Sequence, residues 1–460
     1  MLNFRSFEIN GLFGEVDIEL PIEGNRLIIV GYNGIGKSTI LNIIYYFISR
    51  QWKKLADQDF VSIRATFTNR KKIKLTREEI TKSLSSRRVA RRLAHLPYSL
   101  YVKANDLINK ESIYRGTSYT RQINHISEKL GLPRHFAEEL LLEIRNESDP
   151  NDSTKDPLYA ADSYLDKNLL GRILYLPTYR RIEKDLKTVF PEIEDELQRK
   201  LTRRFREGSK SNTYIELVQF GMQDVKSKIY SQLEELRTYA LSQINSLTTS
   251  YLRDVIRSEA NQYEKISTIE ITESNLDSVF EKIDNKILSL GDKQKVRDVV
   301  TKLRTSLPLE ENEKYVAHYI MYLVEVGKNI AAKEARISLF TDVCNSYLFG
   351  KRFDFNSSDY ILNISHGSGR PVEMEDLSSG EKQIVSLFSH MLLDDVSDNY
   401  VVIDEPELSL SVDWQQRFLE DISSLPTCRF IGAVTHSPFI FENSLDRHAV
   451  DLLSHMKAMK

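Results

Sequence analysis

Gly31, Gly36, Lys37 and Ser38 satisfy the spacing G-x-x-x-x-G-K-S within the stretch GYNGIGKST, residues 31 to 39. Glycines at these positions let the backbone curl until successive N–H groups face an anion, and a helix N-terminus behind them adds its dipole. The chemistry this predicts is nucleotide binding. Asn33, Gly34, Ile35, Gly36, Lys37, Ser38 and Thr39 would wrap the phosphates of ATP, with Lys37 neutralising the β and γ charge and Ser38 ligating Mg2+. The complementary acids lie far downstream. Tyr400-Val401-Val402-Ile403 reads as a buried strand that delivers Asp404 and Glu405 to its C-terminal end, where open α/β sheets bind their ligands. Asp404 is expected to hold Mg2+ through water, and Glu405 to polarise the attacking water. An ordinary acidic pair at a strand end is the plainer alternative. Thr435-His436-Ser437 ends the next strand, so His436 can reach the γ-phosphate or that water; a lone histidine is otherwise more often structural.

Several elements must position these groups. A short buried strand, RLIIV, precedes the glycine loop, and a helix with apolar Ile40, Leu41, Ile43, Ile44 and Phe47 follows it. Upstream, FRSFEI and GEVDIEL alternate as antiparallel strands, and FVSIRATF with KKIKL suggests a hairpin. A further buried strand, RILYLP, ends before Thr178. NESDPNDSTKDP, residues 146 to 157, reads as flexible. Residues from about 184 to 345 are mostly helical by pattern. There Val218, Met222, Val225, Ile229, Leu233, Leu236, Ala240, Ile244, Leu247, Tyr251 and Val255 recur with an eleven-residue period, which favours a nearly straight helix pairing. A long helix in a compact bundle and a protruding antiparallel arm or oligomer seam both fit. After Gly350 the chain returns to strands.

Composition sets broad limits. The 460 residues are 41% hydrophobic and 28% charged with a net charge of -3, enough for a large core and without a global bias toward polyanions. Two cysteines, Cys344 and Cys428, exclude a disulfide framework and a thiolate-rich zinc site and fit a reducing compartment. No stretch approaches the roughly 20 apolar residues of a membrane helix, and the N-terminus does not read as a signal peptide. A cytoplasmic protein with no membrane partner is expected.

One polar turn, LSSGEKQ, residues 377 to 383, sits directly before an apolar helix pattern and the YVVIDE strand, about 340 residues after the glycine loop. As local chemistry it is a helix cap, with Ser378 or Ser379 as N-cap and Glu381 in the first turn. Glycine loop, LSSGE, DE-tipped strand and terminal histidine, in that order, resemble the ATP-binding-cassette ATPases. That resemblance implies an α/β fold: a P-loop ATPase head, a mixed sheet with flanking helices and an N-terminal antiparallel subdomain, interrupted by a long helical insertion. The expected divisions are residues 1–183 for the first part of the head, with a basic insert at about 64–170, then 184–345 for the insertion and 346–460 for the rest of the head. It further implies that Ser378, Ser379 and Gly380 cap ATP held by a second subunit, giving an ATP-sandwiched dimer or a higher homo-oligomer. Pro406 to Ser411 lacks the aspartate usual after the catalytic glutamate. No glutamine matches the usual slot after RILYLP, where Thr178-Tyr179-Arg180-Arg181 stand instead. Phe13 is the candidate to stack on adenine.

Transporter cassettes have no counterpart of the insertion; it is similar to SMC-like repair ATPases and the overcoming-lysogenisation-defect group. GLFG, GYNGIGKSTILNIIYYF, YLPTYRRIE, LSSGEKQ, DEPELSLS and THSPFIF together are similar to the ATPase subunits of bacterial anti-phage systems, the PARIS type first and the Septu type next. The resemblance implies a sensor and scaffold that restrains and releases a separate nuclease, Toprim-type or HNH-type, when a phage protein arrives. The alternative is an SMC-like ATPase acting on DNA in repair. Arg64, Arg70, Lys71, Lys72, Lys74, Arg77, Lys82, Arg87, Arg88, Arg91 and Arg92 form a basic stretch. Solvated surface is its plain reading, and a site for nucleic acid or an acidic DNA-mimic trigger is the sharper one.

Overall fold

The computed structural model describes residues 2–86, 100, 103–104, 107, 119–146, 157–177, 214–216, 222–257, 276–277, 280, 289–305, 307–394 and 398–458. Val218, Arg87, Arg88, Arg91, Arg92 and the segment 178–181 lie outside them. In chain order the principal elements are β1 (Phe4–Leu12), β2 (Val16–Pro21), β3 (Arg26–Val30), α1 (Lys37–Ile48), β4 (Ser62–Phe67), β5 (Lys72–Thr76), β6 (Arg172–Leu176) and β7 (Tyr214–Glu216). There follow α2 (Gln223–Ile256), α3 (Glu311–Asn345), β8 (Lys351–Asn356), β9 (Ile361–His366), α4 (Ser379–Leu392), β10 (Asn399–Asp404), α5 (Val412–Ser424), β11 (Cys428–Thr435), β12 (Ala449–Asp451) and β13 (Met456–Ala458). They fall into two units, Met1–Phe220 with Val396–Lys460, and Gly221–Asp395.

The first unit holds two sheets. One is antiparallel, in the order β13-β2-β1-β4-β5; the other is parallel throughout, in the order β12-β3-β11-β10-β6-β7. Alternation in β1 and β5 predicts strands with one buried face, whereas RLIIV, NYVVID and CRFIGAVT are near-continuous apolar runs suited to a sheet covered on both sides. Helix α1 lies between the sheets, and eight of its residues, including Lys37, are buried. Phe47 meets Phe7 of β1 edge-on at 5.5 Å, and Tyr45 stacks on Tyr175 of β6 at 4.2 Å. A helix apolar on nearly every side belongs in the interior, and burying its large side chains contributes about 1.5–3 kcal/mol each. This is a mixed α/β P-loop ATPase head with an N-terminal antiparallel subdomain, as the sequence predicts.

In the second unit α2 and α3 run antiparallel, since Glu235 and Tyr239 meet Lys333 while Asp254 meets His318 and Tyr322. Val225, Ile229, Leu233, Leu236, Ala240 and Leu247 are buried as the eleven-residue period predicts. Ile244 departs from it and is exposed, and Asp254 rather than Val255 is buried at the far end. The buried carboxylate accepts from Tyr322 Oη at 2.6 Å and His318 Nε2 at 3.1 Å, and these bonds hold its pKa below the usual range. At the other end Asn345 brackets Phe353 of the β8–β9 hairpin, donating to its carbonyl and accepting from its N–H. Among the described residues no helix is long and apolar enough to cross a membrane.

Candidate functional site

Strand β3 carries the glycine loop at its C-terminal end, and it pairs with β11 although some 400 residues separate them in sequence. Thr435 lies opposite Val30, and Asp404 opposite Val434. The ends of β3, β11 and β10 are therefore level, bringing the loop, His436 and the Asp404-Glu405 pair to one edge of the parallel sheet, the edge where such sheets bind ligands.

The loop passes into α1 through Gly36, whose φ of 96° lies in the left-handed region. A Cβ here would also sit 2.9 Å from the Phe13 ring, so glycine is required twice over. Phe13, named for adenine stacking, thus lies against the helix end of the loop. Lys37 Nζ donates to the carbonyls of Gly31 at 2.9 Å and Tyr32 at 2.7 Å, and lies 3.4 Å from His436 Nδ1. Burial lowers the Lys37 pKa, outweighing the pull of Glu405, Asp404 and Glu407.

Ser38 Oγ donates to Asp404 Oδ1 at 3.1 Å. The two oxygens are thus placed where they would hold Mg2+, Ser38 directly and Asp404 through water. Together with the positive-φ glycines Gly31, Gly34 and Gly36, whose loop holds Asn33 and Ile35 and leads to Thr39 in α1, the donor set fits a nucleotide and its Mg2+. Glu405 follows at φ 52°, a left-handed conformation that costs a non-glycine residue about 1–3 kcal/mol, with its N–H held by the Val434 carbonyl at 2.9 Å. Burial raises its carboxyl pKa, with Asp404 and Glu407 adding to the rise against His436 and Lys37. A carboxylate of raised proton affinity is the better base toward water near neutral pH. His436 is exposed at the sheet edge.

Glu407 escaped sequence reasoning. Its Oε2 accepts from Thr435 Oγ1 at 2.8 Å and its Oε1 from the His436 N–H at 2.8 Å. The available signal was a third acid in DEPE.

In the second unit, Ser378 is the N-cap of α4 and Glu381 closes a capping box: Ser378 Oγ accepts from Glu381 N at 3.3 Å, and Glu381 Oε2 from Ser378 N at 2.6 Å. Lys351 of β8 donates to the same carboxylate at 2.8 Å. Burial pushes the Glu381 carboxyl up, but Lys351 and the Ser378 N–H and hydroxyl outweigh it and hold it below the usual range. Ser378 and Ser379 are exposed while Gly380 is buried. At the other end of α4, Lys228 of α2 bonds His390 Nδ1 at 2.5 Å and Asp394 Oδ2 at 2.9 Å.

The basic stretch is partly spoken for. Arg64 pairs with Glu8 at 2.6 Å and Arg77 with Asp59 at 3.2 Å. Arg70, Lys71, Lys72 and Lys74 are exposed along the turn and edge strand β5.

Among solved structures the chain is similar to the Smc head domain with an extended coiled coil bound to the C-terminal domain of ScpA from Pyrococcus furiosus. The two share 13% identity at a TM-score of 0.31, over 100% of this chain and 96% of that one. It is likewise similar to the Smc head domain with a coiled coil and joint from Pyrococcus yayanosii, at 14% identity and a TM-score of 0.29, over 100% and 97%. No curated protein matches it in sequence. A family model described as AAA ATPase domain matches residues 3–441, from the first strand to beyond the histidine turn, and the chain belongs to that family.

Proposed function

We propose that this ATPase is a nucleotide-driven switch and scaffold that restrains a partner nuclease and releases it in anti-phage defence, with its ATP sites completed between two copies of the chain. ATP hydrolysis itself follows from the family. Within one copy, the loop amides and Lys37 bind the phosphates, Glu405 takes the proton of the attacking water, and His436 orients that water or the γ-phosphate. Mg2+ held at Ser38 and Asp404 would offset charge developing on the phosphates. Ser378, Ser379 and the first amides of α4 would face the nucleotide of the other copy, an arrangement suited to an anion because a helix N-terminus offers unpaired donors.

The observation that carries the switch reading is the Lys228 link. It ties α2 to the C-terminal end of α4, the helix that begins at the LSSGEKQ turn, so a partner that displaces the long helices pulls on that helix. Two inactive variants, Lys37→Ala and Ser379→Arg, test the shared site. Mixed in equal amounts they are expected to recover about a quarter of wild-type turnover, because half the dimers then hold one intact site of two. Wild-type turnover by Ser379→Arg alone overturns the cross-copy role. For the partner, a Toprim-type or HNH-type nuclease should copurify with Glu405→Gln and dissociate when a phage trigger, such as an acidic DNA mimic, is added; a nuclease equally active free and mixed overturns restraint.

The exposed Arg70, Lys71, Lys72 and Lys74 favour a second reading, an SMC-like ATPase that binds DNA directly. Duplex affinity falling steeply with salt, and lost on neutralising Lys72 and Lys74, would decide for it.

A further inference from the structure

The segment after Glu405 and the turn that carries His436 are joined by more than their strands. Glu407 gives one carboxylate oxygen to the Thr435 hydroxyl and the other to the His436 N–H, each at 2.8 Å. Gln415, in the first turn of α5, donates to the Leu410 carbonyl at 3.0 Å and accepts from Ser437 Oγ at 2.7 Å. Ser437 N–H in turn donates to Thr435 Oγ1 at 3.0 Å. Three consecutive residues, Thr435, His436 and Ser437, are therefore held from the stretch 407–415, across 22 to 29 residues of chain.

We propose that Glu407 is a positioning residue for His436, fixing the direction in which the histidine leaves β11 and making its turn and the segment after Glu405 one hydrogen-bonded body. A carboxylate with each oxygen taken by a separate donor cannot rotate without breaking one bond. The bond it makes to His436 is to the main chain, so a change there redirects the ring, whose Nδ1 faces Lys37. The inference rests on the reading that His436 meets the γ-phosphate or the attacking water.

The test uses the full chain with Glu407→Ala and Glu407→Gln, steady-state ATP turnover, and amide hydrogen exchange of residues 435–437. In Glu407→Ala, kcat falls about 10- to 100-fold with KM changed less than about twofold, as expected when a reacting group is misplaced while substrate binding is kept. Exchange of the His436 amide rises at least about tenfold, while amides within β10 and β11 keep their protection. Glu407→Gln retains an acceptor oxygen for the His436 N–H, so it keeps the protection and most of kcat. Unchanged His436 protection in Glu407→Ala, or wild-type kcat with protection lost, overturns the proposal. Should Glu407→Ala fail to fold, Glu407→Asp, one methylene shorter, carries the same expectation of lost protection and lowered kcat. His436→Ala reads the parent assumption separately: wild-type turnover there removes the histidine's role, and hydrogen exchange still reports the Glu407 bond by itself.

Discussion

Replacing Lys351 by methionine should loosen the LSSGEKQ turn selectively. Lys351 and Glu381 form an ion pair at 2.8 Å whose side chains are 21% and 8% exposed, so it is screened far less than a surface pair. Methionine keeps most of the stem and removes the charge. Glu381 then stays buried with only the Ser378 N–H and hydroxyl as partners, and losing a hydrogen bond to a charged group costs about 1.5–3 kcal/mol. Local opening of the first turn of α4 should rise about 10- to 100-fold, measured by exchange of the amides of residues 380–383. Ser378→Ala, which removes the cap hydroxyl but leaves Lys351 and the residue 378 N–H on Glu381, should give about fivefold, from a cost near 1 kcal/mol. The pH dependence has a definite sign. Glu381 is held below its ordinary pKa, so its contribution is present above the unfolded value and is lost as pH falls through the folded one. Acidification from about pH 5 downward should therefore open the wild-type turn, after correction for intrinsic exchange, and Lys351→Met should respond less because part of the downward shift has gone. Wild-type protection in Lys351→Met, or undiminished acid sensitivity, would refute the reasoning.

Two further outcomes follow from the site in the first unit. Glu405→Gln should bind ATP with near-normal affinity and turn it over at least about 100-fold more slowly, and the wild-type acidic limb should lie above the ordinary glutamate range because burial raises that carboxyl. A wild-type limb at or below that range would remove Glu405 as the titrating base. Asp404→Asn should shift the Mg2+ concentration for half-maximal turnover upward by about tenfold or more, since Ser38 loses a charged neighbour at the metal; titration of turnover against Mg2+ reads this directly.

The glycine loop and the DE-tipped strand were legible because each is a local pattern with a local cause: glycines where φ must be positive, and a continuous apolar run where both sheet faces are covered. The rejoining of β3 with β11 was legible only as a possibility, because strand pairing is fixed by register rather than by either sequence alone. Glu407 was missed for the same reason, its partners being set by the level at which β10 and β11 end. The cap could have been Ser378 or Ser379 by composition, and the Lys351 bridge to Glu381 decides how that turn sits. The helical period failed at Val255 because periodicity counts apolar residues alone. A buried aspartate with two hydrogen-bond donors competes for the interior equally well, and Asp254 takes that place. Arg64 and Arg77 read as free positive charge, yet cross-strand and loop neighbours neutralise them, a pairing no charge count along the chain can see.

The neighbours of β3 in the parallel sheet, β11 and β12, both lie some 400 residues after it in sequence. During synthesis, the apolar segment RLIIV emerges early and waits for some 400 further residues before it has a strand to pair with. At about 5–20 residues per second that delay is roughly 20–80 s, during which an unpaired β-forming segment is exposed to aggregation and to chaperones. Late pairing also withholds this edge from any product cut short before β11, which carries the glycine loop without the histidine turn beside it. The edge that carries the glycine loop therefore takes shape only once β11 and β12 have joined β3.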